Sequence, residues 1–334
     1  MSGAGKRSLS VALAVLIGGV LLYLSLRDID WAEVLRMLSR TRTRWLAPLL
    51  FLPALDIVVR ALRWKLLLVP VTAASWRALF GLEAVGLGLN NILFLRIGEL
   101  ARAYLAGKRL GVPGLSVLST ILVERLCDAA ALFTLFSAVS FAISEVISPQ
   151  LRWAALAGVA ALLIILLGVT SVERLLERWE PWVRFEASHP RIHRLLMELV
   201  LGTGALRSPG RACAIASLSL LLWVCDAAIF WAAGRALGLE GLTYLKSVAV
   251  MTTAAAASAL PALPGAFGNF EAGVKAILVH FGYAPEAAIG YATLAHLSMY
   301  VVVTSMGLFF LNRFGHGLQS LGRAMTAAGE DWKK

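Results

Sequence analysis

Charged side chains set inside long apolar runs constrain this chain more than any other feature. Asp56, Arg60 and Arg63 interrupt one run, Glu99 and Arg102 a second, and Glu124, Arg125 and Asp128 a third; Asp226 follows, then Glu271 with Lys275. A charge at the centre of a bilayer costs about 2.5–3.5 kcal/mol on insertion scales, so it persists where it is paired or functional. The pattern implies a polar pathway kept inside a membrane.

The 334 residues are 59% hydrophobic, with mean hydropathy +0.78, whereas a soluble domain is about 45–50% apolar. Several stretches reach the length of about 20 apolar residues that spans a bilayer. The expected class is therefore an all-α polytopic membrane protein. No segment shows the alternation over about 10 residues that marks a transmembrane β-strand. Lys6 and Arg7 precede the run Leu9–Leu26, which is too long for the apolar core of a signal peptide and is read as a retained first span. The net charge of +11 comes from basic residues gathered between the spans, so it points to topology and anionic lipid rather than nucleic acid. Cys127, Cys213 and Cys225 lie in apolar runs without a CxxC pair, and read as small buried hydrophobes.

Spans are expected at 9–26, 45–68, 115–143, 152–170, 211–236 and 287–311. Two further apolar stretches, 76–110 and 244–281, are broken near their middles. The first carries Asn90-Asn91 and then Arg96-Ile97-Gly98-Glu99; the second carries Pro261, Pro264, Gly265, Gly268, Asn269 and Glu271. Pro removes a helical donor and Gly relaxes the backbone, so both helices should break there. A broken helix at membrane depth is tolerated where protein or a water-filled cavity satisfies the freed groups.

Spacing suggests an internal repeat. Asp56 precedes Glu99 by 43 residues and Asp226 precedes Glu271 by 45; Glu124 lies 25 beyond Glu99 and His296 lies 25 beyond Glu271. Each half then reads as a span with Asp, a broken segment with Glu, and a span with a polar residue. Matching broken segments in two halves point to a transporter site. Taking each as a re-entrant hairpin leaves six full spans in an inverted repeat. It also places both termini in the cytoplasm of an inner-membrane protein. Of 31 Lys and Arg residues, 21 then fall inside and eight outside, the sign expected of cytoplasmic loops. Segment 27–44, with five arginines, falls outside against that trend. The chain is thus one membrane domain over 1–334. Its first half is 1–170 and its second 211–311, with a linker at 171–210 and a polar tail at 312–334. The linker places Val172, Leu175, Leu176 and Trp179 on one helical face and should kink near Pro181. That suits a helix on the membrane surface or a connector packed on the bundle.

The charges could carry chemistry in several ways. Asp56 and Arg60, at i and i+4, can neutralise each other. Arg63 reads equally as a headgroup ligand or as a snorkelling side chain. Glu124 and Asp128 lie one turn apart and cannot both ionise cheaply without an arginine. Arg125 points about 100° away from Glu124 at the 3.6-residue period, which leaves Arg96 or Arg102 as the partner. Arg96 and Arg102, with Gly98 and Glu99 at the first break, suit a phosphate through the planar guanidinium. Glu271 and Lys275 repeat the i, i+4 pairing, and Asn90 and Asn269 add neutral polar groups. The plainer alternative for all of these is contacts that hold the bundle together. No HExxH, GxSxG, Walker loop or Asp-rich prenyl diphosphate motif occurs, so no enzyme activity, metal or cofactor is expected.

These same residues carry a resemblance. Arg60-Ala-Leu-Arg63-Trp64, Asn90, Arg96-Ile97-Gly98-Glu99, Arg102, Glu124-Arg125 and Asp128 form the first part, and Leu260-Pro261, Pro264-Gly265, Gly268 and Glu271 the second. Together they resemble the lysylphosphatidylglycerol synthase transmembrane, or flippase-like, domain family over nearly the whole chain. The chain departs from that pattern at Leu95, where relatives often have Pro, and at His296, where a basic Arg is common. The resemblance implies a lipid flippase or lipid-handling module of the inner membrane. Multidomain relatives add an aminoacyl-transferase domain, which these residues do not contain, so lysyl transfer is not expected. The primary expectation is transport of an anionic phospholipid or a polyprenyl-phosphate-linked headgroup. A membrane scaffold for a glycosyltransferase or lipid-modifying enzyme is the second expectation. A membrane transferase using Glu124 and Asp128 is the third.

Overall fold

A computed structural model describes residues 3–143, 147–177 and 188–323. Among them the helices are α1 (Gly3–Leu26), α2 (Trp31–Ser39), α3 (Leu46–Leu68), α4 (Trp76–Ile92), α5 (Ile97–Leu110), α6 (Gly114–Ala142), α7 (Pro149–Glu177), α8 (Pro190–Leu201), α9 (Pro209–Ala236), α10 (Tyr244–Ser258), α11 (Asn269–His280) and α12 (Pro285–Arg313). No strand occurs among the described residues.

Four stretches are long and apolar enough to cross a membrane: Thr43–Leu68, Pro149–Gly168, Pro209–Ala236 and Pro285–Arg313. A fifth arises if Val11–Leu26 and Trp31–Ser39, bent by 83° at Asp28–Asp30, form one span. The protein is an all-α polytopic membrane protein. The expected span at 115–143 is α6, a 29-residue helix in which Glu124, Arg125 and Asp128 are all held in ion pairs. Segment 27–44 is not a plain loop: Asp30 accepts from the Ala32 and Glu33 N–H groups and starts α2, as an N-cap residue does. Residues 171–177 continue α7 rather than opening a separate surface helix. Trp179, the kink at Pro181 and the tail beyond 323 lie outside the described residues.

Both expected breaks occur, and each has its own backbone cause. The first covers 93–96, where Leu95 (φ 60°) and Arg96 (φ 52°) are left-handed. Gly98, expected at the break, is instead helical, in the first turn of α5. A Cβ there would stand 2.6 Å from Asn90 Oδ1, so its missing side chain lets α5 fold tightly back on α4. The second break covers 259–268. Pro261 and Pro264 offer no N–H, and Gly265 (φ 68°), Ala266 (φ 62°) and Gly268 (φ 88°) turn the chain. Helices α10 and α11 then pack on each other as α4 and α5 do.

The packing of the two halves corresponds. Replacing α3 by α9, α4 by α10, α5 by α11 and α6 by α12 converts one set of contacts into the other: α4 on α12 becomes α10 on α6, and α3 on α12 becomes α9 on α6. Helices α3 and α9 run antiparallel at the centre. Arg42 N–H donates to Ala236 O at 2.8 Å, Trp45 meets Trp231 edge-on at 5.2 Å, Arg60 reaches Asp226 at 3.7 Å and Arg63 reaches Ser219 at 3.1 Å. Partner numbers fall as α3 advances. Helices α4 and α12 also run antiparallel, with Gly81 against Phe310 and Gly88 against Gly307. A Cβ on Gly88 would lie 2.9 Å from Gly307 Cα, the close approach that small residues permit between membrane helices.

Candidate functional site

The charged residues expected from the sequence converge on one buried cluster where α3, α4, α5, α6 and α9 meet. On α3, Arg60 Nε donates to Asp56 Oδ2 at 2.6 Å, one turn earlier on the same face. Its other nitrogens face Asp226 Oδ2 at 3.7 Å and Asp128 Oδ2 at 3.9 Å. Arg63 donates to Asp128 Oδ1 at 2.5 Å and to Ser219 Oγ at 3.1 Å, and its Nη2 lies 3.4 Å from Glu124 Oε1. Arg102 of α5 donates to Glu124 Oε2 at 3.0 Å and to Glu83 Oε2, and lies 4.4 Å from the ring centre of Trp64. Arg125 Nη2 donates to Glu124 Oε1 at 2.5 Å, and its guanidinium also faces Asp128 Oδ2 at 3.2 Å and Glu99 Oε1 at 3.4 Å.

Several expectations are corrected by this geometry. Arg63 is 0% exposed and neither snorkels nor reaches a headgroup; two carboxylates of α6 hold it. Arg125 does not point away from Glu124, because its long side chain curls back to the adjacent carboxylate. Of the two partners expected for Glu124 and Asp128, Arg102 pairs with Glu124 and Arg96 does not. Arg96 is exposed and its Nη2 donates to Ser258 O at 3.3 Å, across to the second break.

The second half pairs differently from the first. Glu271 and Lys275 do not join. The Lys275 ammonium donates to Ser25 O at 2.7 Å, tying α11 to α1. Glu271 accepts from the Gly268 N–H at 2.6 Å, closing the start of α11, and faces His296 Nδ1 at 2.6 Å. His296 Nε2 lies 2.8 Å from Gly265 O, and its ring stacks on Phe270 at 4.3 Å. Asn269 donates to Ala257 O, Leu260 O and Pro261 O at 3.1–3.4 Å, holding the end of α10 against the start of α11. Pro261, Pro264, Gly265 and Gly268 thus shape a turn whose carbonyls are taken up by neighbouring side chains.

Two cavities lie where the breaks meet. The inner one, about 240 Å³, is lined by Asp56, Arg60, Asn90, Asp226, Gly265 and His296 among others. The outer one, about 450 Å³, is lined by Asn90, Arg96, Glu99, Arg125 and the 258–266 turn. Asn90, Asn91, Ser258, Gly265 and Ala266 border both. Asn90 Oδ1 and Asp56 Oδ1 are buried without a hydrogen-bond partner among the described residues. Beside the outer cavity, α5 begins at Arg96 without a side-chain cap, so its first N–H groups are aimed as those of anion-binding helix starts are.

Sequence reasoning missed Glu83, which is 0% exposed and pairs with Arg102. The signal was present: a lone acid between Leu82 and Ala84 in the apolar stretch before the first break. Asp226 and His296 were not among the expected site residues, yet both line the inner cavity.

No curated protein matches the chain. The family model described as the lysylphosphatidylglycerol synthase TM region matches residues 11–307, both breaks and the whole cluster included, and points to a membrane lipid-related function. By that match the chain belongs to the lysylphosphatidylglycerol synthase transmembrane-region family.

Proposed function

We propose that this protein is a lipid flippase that moves the headgroup of an anionic phospholipid, or of a polyprenyl-phosphate-linked lipid, across an inner membrane. The observation that carries the reading is the outer cavity between the two helix breaks, where Arg96, Arg125, Glu99 and the uncapped start of α5 border a space otherwise lined largely by apolar side chains, as an amphiphile needs. A phosphate there meets a planar guanidinium and free backbone donors. Arg60, Arg63 and Arg102 act from behind: each is paired with buried carboxylates and keeps the bundle in register around the path. Each broken segment enters and leaves the bilayer on one side, the two from opposite faces, with both termini cytoplasmic. Alternating access is rocking of one half against the other. The chain works without catalysis or cofactor, and its partner is the lipid itself.

Reconstituted vesicles test this. Protein-dependent movement of a fluorescent phosphatidylglycerol from the inner to the outer leaflet is expected, and Arg96→Ala should abolish it while thermal stability stays at the wild-type value. Lipid movement no faster than in protein-free vesicles overturns the reading. Copurification of such an inactive protein with a glycosyltransferase would favour an accessory role instead.

A further inference from the structure

The inner cavity carries an imbalance of charge that the ion-pair cluster does not resolve. Asp56 and Asp226 are equivalent positions of the two halves, on the antiparallel helices α3 and α9, and both turn toward one guanidinium. Asp56 Oδ2 lies 2.6 Å from Arg60 Nε and Asp226 Oδ2 lies 3.7 Å from Arg60 Nη2. The position in α9 that corresponds to Arg60 is Phe230, so the second aspartate has no arginine of its own half.

Every other charge facing this pair is committed elsewhere. Asp128 of α6, 3.9 Å from Arg60, is held by Arg63 and Arg125. From α12, His296 faces the same cavity, with both ring nitrogens set against acceptors: the Glu271 carboxylate at 2.6 Å and the Gly265 carbonyl at 2.8 Å. A carbonyl can only accept, so His296 and Glu271 together hold two hydrogens and form a neutral unit whose hydrogens are both in use. On α9 and α10, Cys225 and Tyr244 are the nearby titratable groups, and the Tyr244 hydroxyl donates to Val224 O. From α4, the cavity receives the amide of Asn90, which has no charge. Two carboxylates therefore share one positive charge, and all three side chains are 14% exposed or less, where an unbalanced charge is costly. Asp56 lines the cavity and is 6% exposed, and its Oδ1 is buried and receives no hydrogen bond among the described residues.

We infer that Asp56 and Asp226 form a proton-binding site in the inner cavity, one proton shared between two carboxylates on either side of Arg60. The proton arrives from water in the cavity and bonds to a carboxylate oxygen of the pair; Arg60 stays charged throughout. With the proton bound the site is neutral, and without it the site carries one negative charge between the two halves. That difference biases how α3 sits against α9. In the proposed flippase it couples lipid movement to a proton gradient. The coupling rests on the transport reading; the bound proton does not.

Infrared spectra of the full-length protein in vesicles of zwitterionic lipid, recorded across pH, read the carbonyl stretch of a protonated carboxyl group directly. The wild type should show such a band, sensitive to deuterium exchange and lost as pH rises. Asp226→Asn and Asp56→Asn should each remove its titrating amplitude, and Asp226→Glu, which keeps the acid but moves it, should shift the midpoint. No titrating carboxyl band in the wild type overturns the site. So does a band unchanged in both Asn variants, or one displaced by sodium at fixed pH. A band that behaves as expected in a protein that moves no lipid leaves the site standing and removes only its coupling to transport.

Discussion

Arg63 and Asp128, 65 residues apart in sequence, are joined by a 2.5 Å hydrogen bond between α3 and α6, with the arginine wholly out of reach of solvent. The bond ties the first helix of the repeated unit α3–α6 to its last, and Ser219 of α9 adds a third point of attachment. The cluster is therefore a structural rivet between the halves as well as the wall of a cavity.

Breaking this pair from one side should be far worse than removing it whole. Arg63→Met or Asp128→Leu alone takes from the other charge its shortest partner and leaves it the longer contacts, Asp128 to Arg125 and Arg63 to Glu124, at a cost of up to about 3–5 kcal/mol. The double substitution should regain much of that loss. Chemical unfolding of the four proteins in detergent micelles measures the coupling, and additive single-mutant costs would show that the two side chains do not act as a unit.

The left-handed turn at Leu95 and Arg96 offers a substitution that should stabilise. Leu95 has φ 60° and is 45% exposed, so its side chain contributes little packing. The left-handed conformation costs a non-glycine residue roughly 1–2 kcal/mol. Leu95→Gly should raise the unfolding free energy by about 1 kcal/mol, the lower part of that range, because glycine also loses more chain entropy. A lower melting temperature would mean that the side chain has a packing role.

Gly98 and Gly19 form a matched pair for the α4–α5 hairpin. A Cβ on Gly98 would meet Asn90 N at 2.8 Å, whereas one on Gly19 meets nothing within 4 Å. Gly98→Val should cost at least about 1–3 kcal/mol, as overpacking does, and Gly19→Val should be tolerated. Thermal unfolding decides it, and equal effects at the two sites would contradict the tight hairpin.

The proposed entry of the two hairpins from opposite faces makes a topological prediction. With the natural cysteines replaced, Lys108→Cys should react with a membrane-impermeant thiol reagent from one face of the membrane, and Asp28→Cys and Ala284→Cys from the other. All three positions are exposed and outside helix interiors or at helix ends. Labelling of positions 108 and 284 from the same face would defeat the arrangement.

Most helices and the place of both breaks were legible in the sequence because apolar length, Pro261 and Pro264 act locally; the left-handed turn at Leu95 and Arg96 was not, since neither residue type favours it. Most members of the charge cluster were legible too, since a charge in an apolar run demands a partner, although Glu83 was missed. What could not be read was who pairs with whom. Arg63 meets Asp128 and Arg102 meets Glu83 through helices that touch only after folding. The i, i+4 rule succeeded for Asp56 and Arg60 and failed for Glu271 and Lys275. There, the free N–H at the start of α11 and the imidazole of His296 compete for the carboxylate, and the ammonium has Ser25 O within reach. Helix α2 was not anticipated: the five arginines of 27–44 bore only on which side of the membrane the segment lies, although Asp30 stands where a helix start is capped.

Because α3 and α9 are antiparallel, a molecule with one half tilted and its counterpart upright is nearly the same object, turned over, as a molecule with those roles reversed. In the proposed flippase, near-equivalence of this kind makes the opposed shapes almost isoenergetic without tuning. Any preference for facing one leaflet then comes from the few places where the duplicated pattern is imperfect, such as Arg60 against Phe230 and Glu124 against His296. Because Arg60 and Glu124 also hold the bundle together, changing them should shift the resting orientation and lower the stability at once.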